Sequence, residues 1–361
     1  MYLNRLESVY KHMERDGLHQ AIISDKNALF YLFGSHFESG ERMIALLLRS
    51  NMRPIFVLND LFSFSDKDVD VIYYNDSENG PDKLLPYIKH YMALGIDKSF
   101  PSRFLIALMD LHAASAYKTS LAIDYARFIK DDIEKELMIT SSHLNDLCME
   151  DMKKALRVGI SEFELQEEIY RIYERHGISR VSFTPIVAFK ANSTDPHHTP
   201  DSKTILEEGD MVLLDVGGVY KDYCSDMTRV FFTSEPKAFE KKIYNLVKEA
   251  NKEAIKHIKP GVKLSYIDKI ARDLIEGAGY GKYFNHRLGH FIGIEDHDFG
   301  DVSKSSTIIA APGMIFSIEP GIYIKDKIGV RIEDLVLVTE DGCRVLNEYP
   351  KDITIVDIKN R

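Results

Sequence analysis

Apolar positions recur along this chain with two periods, and the alternation between them divides it into segments. Near the start, Leu3, Leu6, Tyr10 and Met13 fall at helical spacing, and Gly17 ends that helix. Short apolar runs follow, AIIS, LFYLFG, MIALLLR, PIFVL and DVIYY, separated by turn-forming or charged residues. With helical stretches over Pro81 to Met92 and Ser102 to Ala116, they predict a small α/β domain over residues 1–125. The segment from Arg127 to Glu134 marks the change to a second domain, 126–361. There Leu137, Leu144, Cys148, Met152 and Ala155 form the stripe of an amphipathic helix that covers a sheet. Ser161 and Glu164 have capping-box spacing for the next helix, which carries Leu165, Ile169 and Tyr173 and stops at Gly177. A second helix pair is written in Phe239, Ile243, Leu246, Ala250 and Ala254, stopped by Pro260-Gly261, and then in Ser265 to Ile275. Val181 to Lys190 reads as a strand.

The stretch from Met211 to Val230 breaks the pattern, because it sets Asp215 and Asp226 into otherwise apolar, strand-like sequence. Gly217-Gly218 interrupts it as a turn would, so it reads as a hairpin. With Asp215 late in the first strand and Asp226 late in the second, only the fold could bring them together. Taken alone, the two fit a turn cap and a surface ion pair equally well. Three further residues change that balance: His290 in NHRLGHFIGIEDHD, Glu319 in MIFSIEPGIYI and Glu333 in GVRIEDLVLVT. A carboxylate in an apolar strand is out of place unless a cation or hydrogen bonds receive it. Two Asp, two Glu and one His suit hard or borderline divalent ions. Four carboxylates carry more charge than one dication balances, which favours a pair of ions about 3.5–4 Å apart.

Composition narrows the classes. With 361 residues, 45% hydrophobic and 28% charged, the chain has room for two ordinary domains and is too mixed to be disordered. A net charge of −10 and a pI near 5.7 argue against nucleic acid as a partner. No run of about 18 apolar residues suggests a membrane span. The opening MYLNRLESVYKHMERDG has no apolar signal core, so a cytoplasmic location is expected. Cys148, Cys224 and Cys343 are scattered and odd in number, as free thiols would be.

The ordered set Asp215, Asp226, His290, Glu319 and Glu333, in the phrases DVGGVYKDYCSDMTR, LGHFIGI, IEPGIY and GVRIED, resembles the pita-bread metallopeptidases. Within them it looks like the Xaa-Pro peptidases, prolidase and aminopeptidase P, over most of Phe183 to Thr339. The resemblance implies an α/β fold with a small N-terminal domain that helps form a homodimer. The second domain would be an internally duplicated pita-bread catalytic domain, although no repeat is visible in the letters. It implies two divalent ions, Mn, Co, Zn or Fe, with Asp215 on one, Asp226 and Glu333 bridging both, and His290 with Glu319 on the second. A hydroxide held between the ions would cleave the bond before proline in dipeptides or short peptides, with Glu319 taking the proton. By the same resemblance, His197 and His297 grip the substrate and stabilise the tetrahedral intermediate, and His286 lines the pocket. Arg331, two residues before Glu333 and so on the same strand face, would orient that carboxylate or pair with a substrate carboxylate.

The chain departs from the common family pattern at Phe291, where many relatives have glycine, and at Asp298, where many have glutamate. Both departures bear on specificity. A catalytically dead binding module on the same fold and a methionine aminopeptidase are the competing classes. The complete ligand set argues against the first, and the separate N-terminal domain against the second. Between the Xaa-Pro peptidases, a compact N-terminal domain and a cation at Arg331 for the proline carboxylate favour prolidase over aminopeptidase P. Gly277 to Lys282 is a helix stop and not a phosphate loop, because it follows a helix and lacks the first glycine. His286 and His297 do not have the spacing of a zinc-binding His-Glu-x-x-His helix. Cys224 reads as small-residue packing, and His36 as a structural loop residue.

Overall fold

The computed structural model describes residues 1–359, and the chain divides into two compact units, Met1–Arg127 and Phe128–Arg361. In the first unit a mixed six-stranded sheet runs in the spatial order Asp70–Tyr74, Ile55–Asn59, Ala45–Arg49, Gln20–Ile23, Ala93–Ile96, Ala116–Thr119. Helices Leu3–Arg15, Lys26–Phe33, Gly80–Leu84, Ser102–Asp110 and Ala122–Ala126 accompany it. Ile22, Leu47, Val57, Leu94 and Leu108 belong to one buried cluster on this sheet. Each such side chain contributes roughly 1.5–3 kcal/mol by leaving water.

The run LFYLFG, one of the short apolar runs of this region, is helical. Asp25 accepts hydrogen bonds from the backbone N–H groups of Asn27 and Ala28, and Gly34, at φ 68°, closes the other end of Lys26–Phe33. A satisfied N-cap and a left-handed C-cap outweigh the strand preference of aromatic residues. Helix over Pro81 to Met92 is shorter than expected, ending in one turn at Leu85–Tyr87. Ala116, expected in a helix, begins an edge strand.

The second unit contains two long helix pairs, Asp132–Ala155 with Glu162–Arg175 and Ala238–Lys256 with Leu264–Gly277. Capping boxes start the first two of these helices, Asp131 with Glu134 and Ser161 with Glu164. A four-stranded sheet runs Thr354–Ile355, Met227–Phe232, Met211–Val216, Ile186–Phe189. A five-stranded sheet runs Asp298–Val302, Gly289–Phe291, Ile315–Ile318, Asp334–Val338, Cys343–Val345. The first helix pair packs in the half that holds the smaller sheet, with Cys148, Met152, Ile169 and Tyr173 against Val187, Val212 and Leu214. The second pair contacts the strands Ile315–Ile318 and Asp298–Val302 of the larger. The two halves therefore repeat one plan, as the duplicated α/β architecture requires.

The hairpin is present, but its turn is not Gly217-Gly218. The chain runs on through Val219–Tyr220, turns at Lys221 and Asp222, which adopt φ 46° and 71°, and returns through Tyr223–Cys224. Gly217 serves close packing, since a Cβ there would lie 2.1 Å from the carbonyl oxygen of Ser225. Val181 forms only an isolated bridge to Gly218, and the strand after it is confined to Ile186–Phe189. Among the described residues no helix is long and apolar enough to cross a membrane. The three cysteines are unpaired, and burial pushes the Cys224 thiol up to about 12, which leaves it no nucleophilic role.

Candidate metal centre

The strands of the second unit deliver five chemically related side chains to one place. Asp215 stands near the end of Met211–Val216, opposite Thr228 on the neighbouring strand. Asp226 immediately precedes the return strand Met227–Phe232, not late in it, so the hairpin itself brings the two aspartates together. His290 is central in Gly289–Phe291, where a Cβ on Gly289 would meet the Ser317 carbonyl oxygen at 1.9 Å. That close approach lets the His290 N–H donate to Ser317 Oγ at 2.9 Å. Glu319 follows Ile315–Ile318, with its N–H bonded to the Leu288 carbonyl, and Glu333 precedes Asp334–Val338, with its N–H on the Thr228 carbonyl.

Distances and burial define what this group lacks. His290 Nε2 lies 3.4 Å from Asp226 Oδ2, 3.6 Å from Glu319 Oε1 and 3.9 Å from Glu333 Oε1. Asp226, His290 and Glu333 each offer a ligand atom within 4.8 Å of the other two. Asp215 Oδ1, Asp226 Oδ1 and Glu333 Oε1 are buried with no hydrogen-bond partner. Burial first, and then the charge of Glu333, raises the Asp226 carboxyl well above its ordinary value; burial and Glu319 do the same to Glu333. Glu319 is pushed up to about 8 by burial, with Asp215 adding to the rise. Burial, reinforced by His297, holds His290 well below its ordinary value and so neutral. Beyond the ion pair of Arg331 with Asp215, no lysine or arginine among the described residues pairs with these buried carboxylates, and with a neutral imidazole this donor set fits divalent metal ions.

The sign of the resulting pH dependence is fixed. Folded values above the unfolded ones mean that the folded chain binds more protons, so its stability falls as pH rises through the window between the two. For Glu319 that window runs from about 4 to about 8. The metal-free chain is expected to melt at a lower temperature at pH 8 than at pH 6, and saturating manganese should remove the difference. Thermal melting followed by circular dichroism checks both; equal melting temperatures without metal would show that the carboxylates do not strain the fold.

Around this group, side chains are held from a second layer. Arg331 is 3% exposed and donates from Nε to Thr228 Oγ1 (3.0 Å), from Nη1 to the Tyr323 hydroxyl (2.7 Å) and from Nη2 to Asp215 Oδ2 (2.5 Å). Thr228 Oγ1 donates in turn to Glu333 Oε2 at 2.7 Å. Arg331 therefore reaches Glu333 through a threonine, and not by sharing a strand face, because Ile328–Arg331 ends before Glu333. Arg229 donates to the Glu333 carbonyl and to Asp334, fixing the backbone on which Glu333 sits.

A cavity of about 800 Å³ opens onto the group, and His197, His286, Arg287, Asp296, His297 and Arg331 line it. Arg287 Nη2 donates to His297 Nδ1 at 3.0 Å, and the His297 ring lies 4.0 Å from that of His290. A guanidinium only donates, so neutral His297 carries its proton on Nε2. Burial, and then Arg287, lowers His297 to about 4; burial, and then Arg331, does the same to His286. His286 Nε2 pairs with the Tyr323 hydroxyl at 3.1 Å. His197 belongs to a loop that Glu162 organises. The buried Glu162 carboxylate accepts from Phe189 N, Asn192 Nδ2 and Asp201 N and bonds His198 Nε2 at 2.7 Å. Glu162, His198 and Asp201 also have metal-ligand proximity, but these bonds already occupy the Glu162 carboxylate. Phe291 packs on Phe128 and Phe316, and Asp298 pairs with Lys130, so neither departure from the family pattern lines the cavity.

Arg287, Asp296, Thr228, Tyr323 and Glu162 were not singled out in the sequence. Only Asp296 carried a usable signal, as one of three acids flanking His297 in GIEDHD.

Comparison with known proteins agrees with this geometry. Residues 136–340 match the family model for metallopeptidase family M24, and residues 5–129 match that for the creatinase/prolidase N-terminal domain. A putative dipeptidase of Bacillus subtilis, YkvY, is 36% identical over 98% of this chain and 100% of its own. A dipeptidase structure from Pyrococcus horikoshii OT3 is 32% identical, with TM-score 0.91 over 97% of this chain and 99% of that one. A recombinant prolidase from Thermococcus sibiricus is 30% identical, with TM-score 0.89 over 98% and 99%. A family model that spans more than half the chain, relatives that align from end to end, and a carboxylate–histidine group that calls for divalent ions lead to one conclusion: the chain belongs to metallopeptidase family M24.

Proposed function

We propose that this metallopeptidase is an Xaa-Pro dipeptidase with two divalent ions at the centre. The observation that supports it most is the cluster of buried carboxylate oxygens without donors around His290, in a cavity that His197, His286 and His297 also line. Asp226 and Glu333 would bridge the ions, Asp215 would hold one of them, and His290 with Glu319 the other. When bound, such ions polarise the scissile carbonyl and lower the pKa of water towards neutrality.

The rest is the work of the chain's own groups. Glu319, with Ser317 Oγ donating to its Oε1 at 3.3 Å, stands to accept the proton of the attacking water. His297 donates through Nε2, because Arg287 occupies Nδ1, and its N–H can serve the oxygen on which charge develops. His197 approaches from the loop that Glu162 holds, and His286 is braced by Tyr323. A homodimer in the cytoplasm, working with manganese, cobalt, zinc or iron, completes this reading.

Arg331 bears on substrate length. Asp215, Thr228 and Tyr323 each take one of its nitrogens, so it is poorly placed to serve as the cation for a proline carboxylate. The dipeptidase preference therefore rests on the end-to-end likeness to proteins described as dipeptidase and prolidase. An aminopeptidase P activity is the second reading. Hydrolysis of Leu-Pro is expected to exceed that of Leu-Pro-Gly and of Leu-Ala. Faster cleavage of the tripeptide would replace dipeptidase by aminopeptidase, and equal cleavage of Leu-Ala would remove the proline requirement.

A further inference from the structure

The centre is approached by one more carboxylate than the five-residue pattern supplies. Asp296 lines the same cavity as Asp226, His290, Glu319 and Glu333. Its Oδ2 lies 3.4 Å from His297 Nε2, while its Oδ1 is buried without a hydrogen-bond partner. Asp226 Oδ1 and Glu333 Oε1 are buried in the same condition, on residues only 3% and 2% exposed. Nothing among the described residues donates to these three buried oxygens, and a divalent ion would supply the positive charge they lack. Arg287, the guanidinium beside this wall, bonds His297 Nδ1.

We infer that Asp296 is a sixth protein ligand of the metal centre, joining the ion that Asp226 holds. This rests on the reading of the centre as a divalent-metal site. Five carboxylates and one imidazole make an oxygen-rich set, suited to manganese and other ions of high coordination number. Zinc, which prefers four ligands and takes nitrogen and sulfur readily, gains less from an added carboxylate.

The test is manganese binding to the metal-free chain, followed by the paramagnetic resonance signal of free Mn²⁺ and by calorimetry, in native protein, Asp296→Asn and Asp296→Ser. Both variants are expected to lose on the order of 10- to 100-fold in Mn²⁺ affinity at one site. Their affinity for Zn²⁺ should change less, and their metal-free melting temperature should be equal or higher because a repulsion has been removed. Unchanged Mn²⁺ affinity in both variants would overturn the assignment. If unchanged affinity came with a raised KM for peptides, Asp296 would instead contact the substrate's ammonium group. Native chain that binds no Mn²⁺, Co²⁺ or Zn²⁺ would sink the metal reading itself, a result distinct from failure of the Asp296 assignment.

Discussion

Glu333→Ala protein is expected to fold, to carry less metal than the native chain and to hydrolyse no measurable Xaa-Pro dipeptide, and Asp226→Ala should do the same. Each residue is nearly inaccessible, each presents one carboxylate oxygen with no protein donor, and each faces His290 at 3.9 Å or less. In the proposed centre a bridging carboxylate serves both ions, so its loss removes a ligand from each. Metal polarisation of a carbonyl contributes several kcal/mol. At 1.36 kcal/mol per tenfold, its loss is on the order of 10³-fold or more in rate. The fold should survive, because either substitution removes a buried charge that its neighbours repel, and Glu333 keeps the backbone bonds that Arg229 and Thr228 give it. Metal analysis by mass spectrometry with a dipeptide assay checks this. Near-normal activity in either variant would rule out shared carboxylates.

His297→Ala separates substrate chemistry from metal binding. Its Nδ1 is occupied by Arg287, leaving Nε2 as its working donor, and it contacts the His290 ring from the cavity side. Removing one donor aimed at developing charge typically costs on the order of 10²–10³-fold in kcat. The variant should keep native metal content and show that loss, and His197→Ala should lose turnover with metals intact. Metal loss in His297→Ala would make the residue a ligand, and an unaltered rate would take it out of the reaction.

Much of this was legible from residue order because an ionisable group in an apolar strand is conspicuous. Glu319 and Glu333 stood out for that reason, and the capping box of Ser161 and Glu164 needed only local spacing. The parts that were not legible depend on partners distant in sequence. Arg331 looked available for substrate, since nothing local shows that Asp215, 116 positions away, takes its Nη2. The hairpin turn was misplaced because glycines draw attention as turn formers, whereas Lys221 and Asp222 adopt positive φ here. With the turn four residues further on, Asp226 moved from the end of a strand to its start, and the two aspartates met without help from the rest of the fold. LFYLFG carried strand composition, and its cap at Asp25 decided otherwise. Asp296 was hidden among neighbouring acids, of which Asp298 has a structural partner in Lys130.

Counted restoration of metal tests the central claim most directly. The chain would be stripped with a chelator, and manganese returned in known equivalents while bound metal and Leu-Pro hydrolysis are followed together. The predicted result is no hydrolysis in the stripped protein and a rate that rises to a plateau at two ions per chain. Full activity without metal, or no cleavage of any Xaa-Pro dipeptide with two ions bound, would contradict it.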